Sequence, residues 1–372
     1  MSLRKPFAIY GITKHGLKTA ARIKAAFPEA DLYVSKKLMG QAPADSLELP
    51  LPFSPLLRET FPAYDCHIFV VSVGAVVRMI APLLQNKKTD PSVLCIDDAN
   101  RFTICLLSGH VGRGNEFTSR VAEALGNQAV ITTASDSIGT LTVDILGRKL
   151  GWVLEDDHHN VTRGCAAVVN EERVLIVQET GEPDFWPLDK KLPPGVDYCH
   201  SLDHVPAQTF DMHLIVSDRD IPNLYPYLYR NAVVYRPKSL ILGIGCDRGT
   251  PFELLERGIH GILKEFKLSW KSIKGLATIS IKADEPGLVE LGKRYNWPLI
   301  AYEPKALDDM EGVENPSELV KKYTGSRTVA EGAALKRSGA TSLLVSKQKY
   351  TEPNIAKNMT LAICRLPFDK RN

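Results

Sequence analysis

"HIFVVSVGAVVRMIAPLL", residues 67–84, decides the fold class of this chain. His67 to Val73 is a continuous apolar run without alternation, the pattern of a central strand covered on both faces. Gly74 ends it, and a helical stretch carrying Arg78 follows. The same order recurs on either side. Phe7–Tyr10 reads as a strand, "GITKHG" as a turn, and Leu17–Phe27 as a helix with Ala20, Ile23, Ala26 and Phe27 on one face. Asp31–Val34, "SVLCID" (92–97), "FTICLLS" (102–108) and "AVITTASD" (129–136) supply further strands. Strands alternating with helices predict a doubly wound α/β layer for residues 1–136.

Residues 137–236 have a different texture. Helices are expected at Leu141–Leu150 and His158–Val169, strands at "RVLIVQE" (173–179), "MHLIVSD" (212–218) and "AVVYRP" (232–237), and loop through "GEPDFWPLDKKLPPGVD" (181–197). Pro237 then precedes a fresh strand, "SLILGIG" (239–245), and the alternation returns. A helix from Pro251 to Phe266, a strand "LATISI" (276–281), a loop "KADEP" (282–286) and a helix from Gly287 to Arg294 follow. Next come the strand "PLIAYEP" (298–304), a helix "PSELVKKYTG" (316–325) with Pro316 just inside its start, and the helix "VAEGAALKRSG" (329–339). "SLLVSKQKY" (342–350) and "MTLAICRL" (359–366) close a sheet. The expected fold is therefore α/β in three domains. Residues 1–136 and 237–372 form three-layer α/β/α units with mainly parallel sheets, around a smaller α/β middle domain at 137–236.

A chain of 372 residues with 44% hydrophobic and 24% charged residues can bury real cores, which excludes disorder and fibre. The 46 basic against 43 acidic residues give +3, too mild a balance to announce nucleic acid, though a local basic pocket for an anionic small molecule fits it. Seven scattered cysteines show no short ligand spacing, so neither a zinc site nor a disulfide framework is implied, and reduced thiols in a cytoplasm are expected. No signal-peptide pattern and no apolar run of about 18 residues is present, so no membrane partner is expected.

Two turns share one architecture of strand, glycine-rich loop and helix: Ser108–Asn115 ("SGHVGRGN") and Gly243–Thr250 ("GIGCDRGT"). Such turns present free backbone N–H groups beside strand ends, where they favour anions. Neither has the phosphate-loop spacing, and the second is one residue too long for the dinucleotide fingerprint. The alternative reading is that the glycines only make strand-to-helix turns. His110 in the first loop is a candidate general acid or base. Thr132, Thr133 and Asp136 in "TTASD" add hydroxyls and a carboxylate to the same edge, or simply cap the next helix. Lys282 and Glu285 are a candidate pair or a solvated one. Glu331 opens a small, apolar helix start where Ser326 or Thr328 can cap. "DDHHN" (156–160) is better read as a solvated helix start than as a metal site, and Cys246 as a small buried residue than as a nucleophile.

Taken together, "LLSGHVGRGNE", "VITTASD", "GIGCDRGT", "KADEPGL" and "SRTVAEGAAL" resemble the CbiG family of cobalt-precorrin-5A hydrolases of anaerobic cobalamin biosynthesis, over nearly the whole chain. The C-terminal part resembles the CobE proteins. In the first turn Gly109, His110, Gly112 and Asn115 carry the match. Gly243, Gly245, Cys246, Gly249, Thr250, Lys282, Glu285, Gly287 and Glu331 carry it in the C-terminal part. The family usually reads G-H-x-G-G-A-N, and here Arg113 and Gly114 stand at the Gly-Ala pair. The resemblance implies hydrolytic opening of the ring A acetate δ-lactone of cobalt-precorrin-5A, with loss of the C20 unit as acetaldehyde, giving cobalt-precorrin-5B. It implies His110 or Glu331 as general base and Lys282 or loop N–H groups at the oxyanion. Gly109, Gly112, Arg113, Gly114, Asn115, Thr132, Thr133, Asp136, Gly245, Cys246, Arg248, Gly249, Glu285 and Ser326 would bind the carboxylate-rich macrocycle. No protein cofactor is expected, because cobalt arrives in the substrate. The expected partners are cobalt-precorrin-5A, water and neighbouring corrin-pathway enzymes, with no nucleic acid; a homodimer is one option. A carrier that binds the corrinoid without chemistry is the alternative function.

Overall fold

The computed structural model describes residues 4–206 and 209–371. They form two compact units, Met1–Ile145 and Leu146–Asn372.

The first unit is built on a seven-stranded sheet. Its strands are β1 (Lys5–Gly11), β2 (Asp31–Ser35), β3 (Leu47–Leu49), β4 (Tyr64–Val70), β5 (Ser92–Ile96), β6 (Phe102–Leu107) and β7 (Gln128–Val130), in the spatial order β3–β2–β1–β4–β5–β6–β7. The apolar run that decided the fold is the sheet's centre, and its residues alternate between two cores. Cys66, Ile68 and Val70 pack with Phe7, Ile9 and Leu32 under the helices Lys14–Ala26 and Gly114–Leu125. Phe69 turns to the opposite face with Tyr10, Tyr33 and Cys95, under the helices Ser54–Thr60 and Val73–Ile80. This is the three-layer arrangement expected.

Three local readings are corrected. β4 ends at Val70 rather than Val73, where its pairing with β5 runs out (Val70 opposite Ile96), and Val73 already begins the helix. β6 is antiparallel to β5, because only a short turn separates them and a parallel crossover needs a dozen or so residues. Asp97 Oδ1 closes that turn by accepting the N–H groups of Arg101 and Phe102 at 2.8 and 2.7 Å. The expected helix at Leu141–Leu150 is two single 3₁₀ turns, Val143–Ile145 and Arg148–Leu150, interrupted at Gly147 with φ of 69°.

The second unit holds two sheets. One contains β8 (Val153–Glu155), β9 (Val174–Gln178), β10 (Val196–Cys199), β11 (Met212–Val216) and β12 (Ala232–Arg236), ordered β10–β9–β11–β12–β8 with β8 alone antiparallel. β10 emerges from the end of the stretch read as loop. The helix expected from His158 begins at Val161, after Asp156 Oδ1 accepts the N–H groups of Asn160 and Val161. The third sheet contains β13 (Leu240–Cys246), β14 (Ile273–Ile279), β15 (Leu299–Tyr302), β16 (Val345–Glu352) and β17 (Ile355–Arg365), ordered β15–β14–β13–β17–β16. β13, β14 and β15 are parallel and β17 runs against its neighbours β13 and β16.

Helices Phe252–Glu265 and Pro286–Tyr295 cover one face of this sheet and Ala330–Ser338 the other. The last helix lies so close to β13 that a Cβ on Gly243 would sit 1.9 Å from the Ala330 carbonyl oxygen. That glycine is a packing requirement. Helix Glu318–Thr324 is capped by Ser317, whose Oγ accepts the Val320 N–H, so Pro316 precedes the helix instead of opening it. Arg365 of β17 forms a bidentate pair with the fully buried Asp218, at 2.7 and 2.6 Å, and Ser239 Oγ donates to the same carboxylate.

Candidate active site

The first glycine-rich turn connects β6 to the helix Gly114–Leu125. It closes on itself: Gly114 N–H donates to the Ser108 carbonyl and Asn115 N–H to the Gly109 carbonyl, both at 3.0 Å. A Cβ on Gly112 would lie 2.5 Å from Ser108 Cβ and 2.8 Å from its carbonyl oxygen, so the tightness of the turn alone demands glycine there. Arg113 takes the left-handed conformation (φ 63°) unaided by being glycine. Its guanidinium is bound in two places by Glu116, at 2.9 and 2.6 Å, and lies over the Phe117 ring. The cation is thereby matched within its own helical turn.

His110 is the centre of this loop. Its Nδ1 lies 3.1 Å from Asp144 Oδ2, and its Nε2 lies 2.9 Å from Asp136 Oδ2 and 3.2 Å from Ser135 Oγ. The histidine is 13% exposed, Asp144 18% and Asp136 43%. The hydrogen bond to Asp144 is the main cause that raises the His110 pKa above its ordinary value; burial opposes it and Asp136 adds to it. Asn115 Nδ2 donates to Thr133 Oγ1 at 2.9 Å and to Asp136 Oδ2 at 2.6 Å. Helix Ala134–Ile138 does start where a capping box was an option, but the Thr133 hydroxyl accepts from Asn115 and does not cap it. Asn115 Oδ1 and Asp144 Oδ1 are buried without a hydrogen-bond partner. The arrangement is a histidine with a carboxylate at each ring nitrogen, able to hold a proton and to pass it on.

Of the residues read from the sequence, this cluster brings together His110, Asn115, Thr133 and Asp136; Thr132 is exposed beside it in the chain. Asp144 and Ser135 were not singled out. Asp144 is 34 positions from His110, beyond the expected domain boundary at 136, and Ser135 was hidden inside a motif read for its threonines and aspartate. No short-range spacing signals either contact.

The second turn links β13 to the helix Phe252–Glu265. Glu285, fully buried at the N-cap of Pro286–Tyr295, reaches back so that its Oε1 accepts the Gly249 N–H at 2.6 Å. Its Oε2 has no hydrogen bond, with Arg248 Nη1 at 3.4 Å and Lys282 Nζ at 3.6 Å. Arg248 also donates to Asp284 Oδ1 at 2.7 Å and to the Ile281 carbonyl. Burial pushes the Cys246 thiol up to about 11, which keeps it protonated at neutral pH. Two cations, Arg248 and Lys282, thus flank the buried Glu285 at the root of the turn, and Arg248 is paired with Asp284 as well.

Glu331 and Ser326 occupy a third place. Glu331 is fully buried: Oε2 accepts the N–H groups of Glu314 and Asn315 at 3.0 and 2.8 Å, and Oε1 accepts Asn315 Nδ2 and the Lys347 N–H at 2.9 and 2.8 Å. Burial alone would raise its pKa, but these donors hold the carboxyl below the usual range. A carboxylate so saturated anchors a loop and a strand start. Ser326 Oγ is spent on Thr328, whose own Oγ1 accepts the Gly332 N–H at 2.9 Å. At "DDHHN", Asp156 caps its helix and the His158 ring packs on Tyr229.

Comparison with known proteins adds a second line of observation. Residues 55–136 match the family described as "Cobalamin synthesis G N-terminal", 141–237 the "Cobalamin biosynthesis central region", and 240–364 the "Cobalamin synthesis G C-terminus". A protein of Priestia megaterium named cobalt-precorrin-5A hydrolase is 39% identical over 371 residues, 98% of this chain and 96% of the relative. One of the same name from Salmonella typhimurium (strain LT2) is 31% identical over 345 residues, 90% of this chain and 93% of the relative. The crystal structure of CobE, a protein from the cobalamin biosynthetic pathway, is 33% identical over 36% of this chain and 94% of its own, with a TM-score of 0.32.

Proposed function

The chain belongs to the CbiG family, and from that premise we propose that it is a cobalt-precorrin-5A hydrolase of cobalamin biosynthesis, with His110 as its proton-transfer group. The observation that supports the assignment of His110 is its position between two carboxylates, 2.9 Å from Asp136 and 3.1 Å from Asp144. Hydrolysis of a lactone needs a group that takes a proton as the carbonyl is attacked and returns one to the departing oxygen. A histidine whose charged form is favoured by neighbouring carboxylates does both. The C20 hydroxyl so released then gives its proton up again, the C–C bond to the ring breaks, acetaldehyde leaves, and the electron pair passes to the cobalt-bearing ring. The cobalt is part of the substrate, and the reading calls on no metal of the protein's own.

The substrate is a polyanion, bristling with acetate and propionate groups. Arg248 and Lys282 are suited by charge to receive such carboxylates in exchange for their present partners, Asp284 and Glu285. Glu331, with four donors on its two oxygens, is left out of the chemistry. Among the described residues no helix is long and apolar enough to cross a membrane.

Anaerobic incubation of the purified protein with cobalt-precorrin-5A tests the reading, with acetaldehyde measured against substrate consumed. One acetaldehyde per macrocycle is expected. Substrate bound intact with no acetaldehyde released would make the protein a carrier.

A further inference from the structure

We propose that Ser135 is the nucleophile of the lactone opening, so that the reaction passes through an ester between Ser135 Oγ and the substrate's acetate carbonyl; this rests on the hydrolase reading above. Three side chains from three separate elements carry the inference. Ser135 Oγ lies 3.2 Å from His110 Nε2, and His110 Nδ1 lies 3.1 Å from Asp144 Oδ2. Hydroxyl, imidazole and carboxylate are therefore in line across the two ring nitrogens, the relation that lets an imidazole take a serine proton while its other face is held by an acid. The arrangement is recognised by geometry and roles rather than by chain order, and here the order is His, Ser, Asp.

The rival account is that Ser135 is merely a helix-start residue. Position and bonding argue against it. The helix Ala134–Ile138 has Thr133 at its N-cap, Ser135 stands one residue inside the start, and its hydroxyl is directed to an imidazole instead of a backbone N–H. The side chain is in a dry place, with the residue 7% exposed, while its neighbours Ala134 and Asp136 are exposed. Asp136 shares the Nε2 edge, but Asn115 Nδ2 holds its Oδ2 at 2.6 Å and it opens to solvent. In the tautomer with its proton on Nδ1, the ring donates to Asp144 and Nε2 accepts from the Ser135 hydroxyl, while Asp136 Oδ2, 2.9 Å from Nε2, favours the charged ring that forms as Ser135 gives up its proton.

The step balances without an added reagent. The Oγ–carbonyl bond forms and the lactone C–O bond breaks; the serine proton moves to Nε2 and then to the departing C20 oxygen. Water next adds to the ester carbonyl, gives its proton to Nε2, and the acid leaves as Oγ takes that proton back. One water is consumed, and nothing is oxidised or reduced in the opening.

Two measurements test it. Ser135→Ala is expected to lower acetaldehyde formation by at least about 1,000-fold while cobalt-corrinoid binding, followed by absorbance, is kept. A rate within tenfold of the parent overturns the nucleophile. Independently of any corrinoid, the intact protein treated with a fluorophosphonate is expected to gain one adduct by mass, mapped to Ser135 and lost in His110→Asn. Absence of an adduct at Ser135 at saturating reagent also overturns it. Because labelling uses the parent chain, a misfolded variant does not blunt the test. If the parent releases no acetaldehyde, the hydrolase reading falls, and the labelling still decides whether Ser135 is an activated nucleophile.

Discussion

Replacing Glu331 by glutamine separates a loop anchor from a catalytic base. The carboxylate accepts four hydrogen bonds, two on each oxygen. An amide has one oxygen, so whichever way it turns, its NH₂ group faces two N–H donors: those of Glu314 and Asn315, or that of Lys347 with Asn315 Nδ2. Each buried donor left unsatisfied costs about 1–3 kcal/mol, which gives about 2–6 kcal/mol for the pair. In a unit of this size 1 kcal/mol moves a melting temperature by about 2–4 °C, so Glu331→Gln is expected to melt lower by roughly 4–24 °C. Thermal and urea unfolding at neutral pH measure it, beside turnover at a temperature where the variant is folded. An acid arm adds a sign. The folded carboxyl is held below its usual range, so its contribution is present above the unfolded value of about 4.3 and is lost as pH falls through the lower folded one. The variant therefore loses that part of the acid sensitivity. If Glu331→Gln melted within 1 °C of the parent and yet lost about 100-fold in acetaldehyde formation, the anchor account would be refuted and the carboxylate would be a base.

His110 carries the opposite sign. Its folded pKa is raised, chiefly by Asp144, so its stabilisation is complete below about 6.5 and declines as pH rises through the folded value. His110→Asn should flatten the urea stability profile above pH 6.5 or so, and an unchanged profile would mean that the two carboxylates do not act on it. Arg113→Gly exchanges an exposed pair worth about 0–1 kcal/mol for relief of a left-handed residue worth about 1 kcal/mol, so melting should shift little and turnover should stay within twofold. A tenfold drop in turnover would instead place the guanidinium on substrate.

Sequence pattern carries the layers of this molecule because burial on both faces writes itself as an unbroken apolar run. Residues 67–70 are the clearest case, and the structure sends them alternately into two cores. It carries less where an element is short or its end is set by a partner. β3, β8 and β10 are three or four residues long, and β4 stops where β5 stops. The first turn was readable as a place for chemistry since glycines and a histidine interrupt a strand-to-helix connection. Its wiring was not, as Asp144 and Ser135 meet His110 only after the chain has folded back over 34 and 25 positions. Glu331 shows the reverse. Its place at a helix start was plain, but the four donors that fix its task come from a loop and a strand on either side of its helix, 16 or 17 residues away.

β17 stands between β13 and β16 in the interior of the third sheet, although it is the last of the five strands in the chain. On a ribosome, β13, β14 and β15 are therefore made and waiting while the gap beside β13 is still open. The first unit has no such delay, because every strand after β1 lies beside one already synthesised, β4 joining β1. During synthesis the two units are expected to differ in exposure: the first closes early, whereas the open edge of β13 is the segment most in need of a chaperone until residue 365 has emerged.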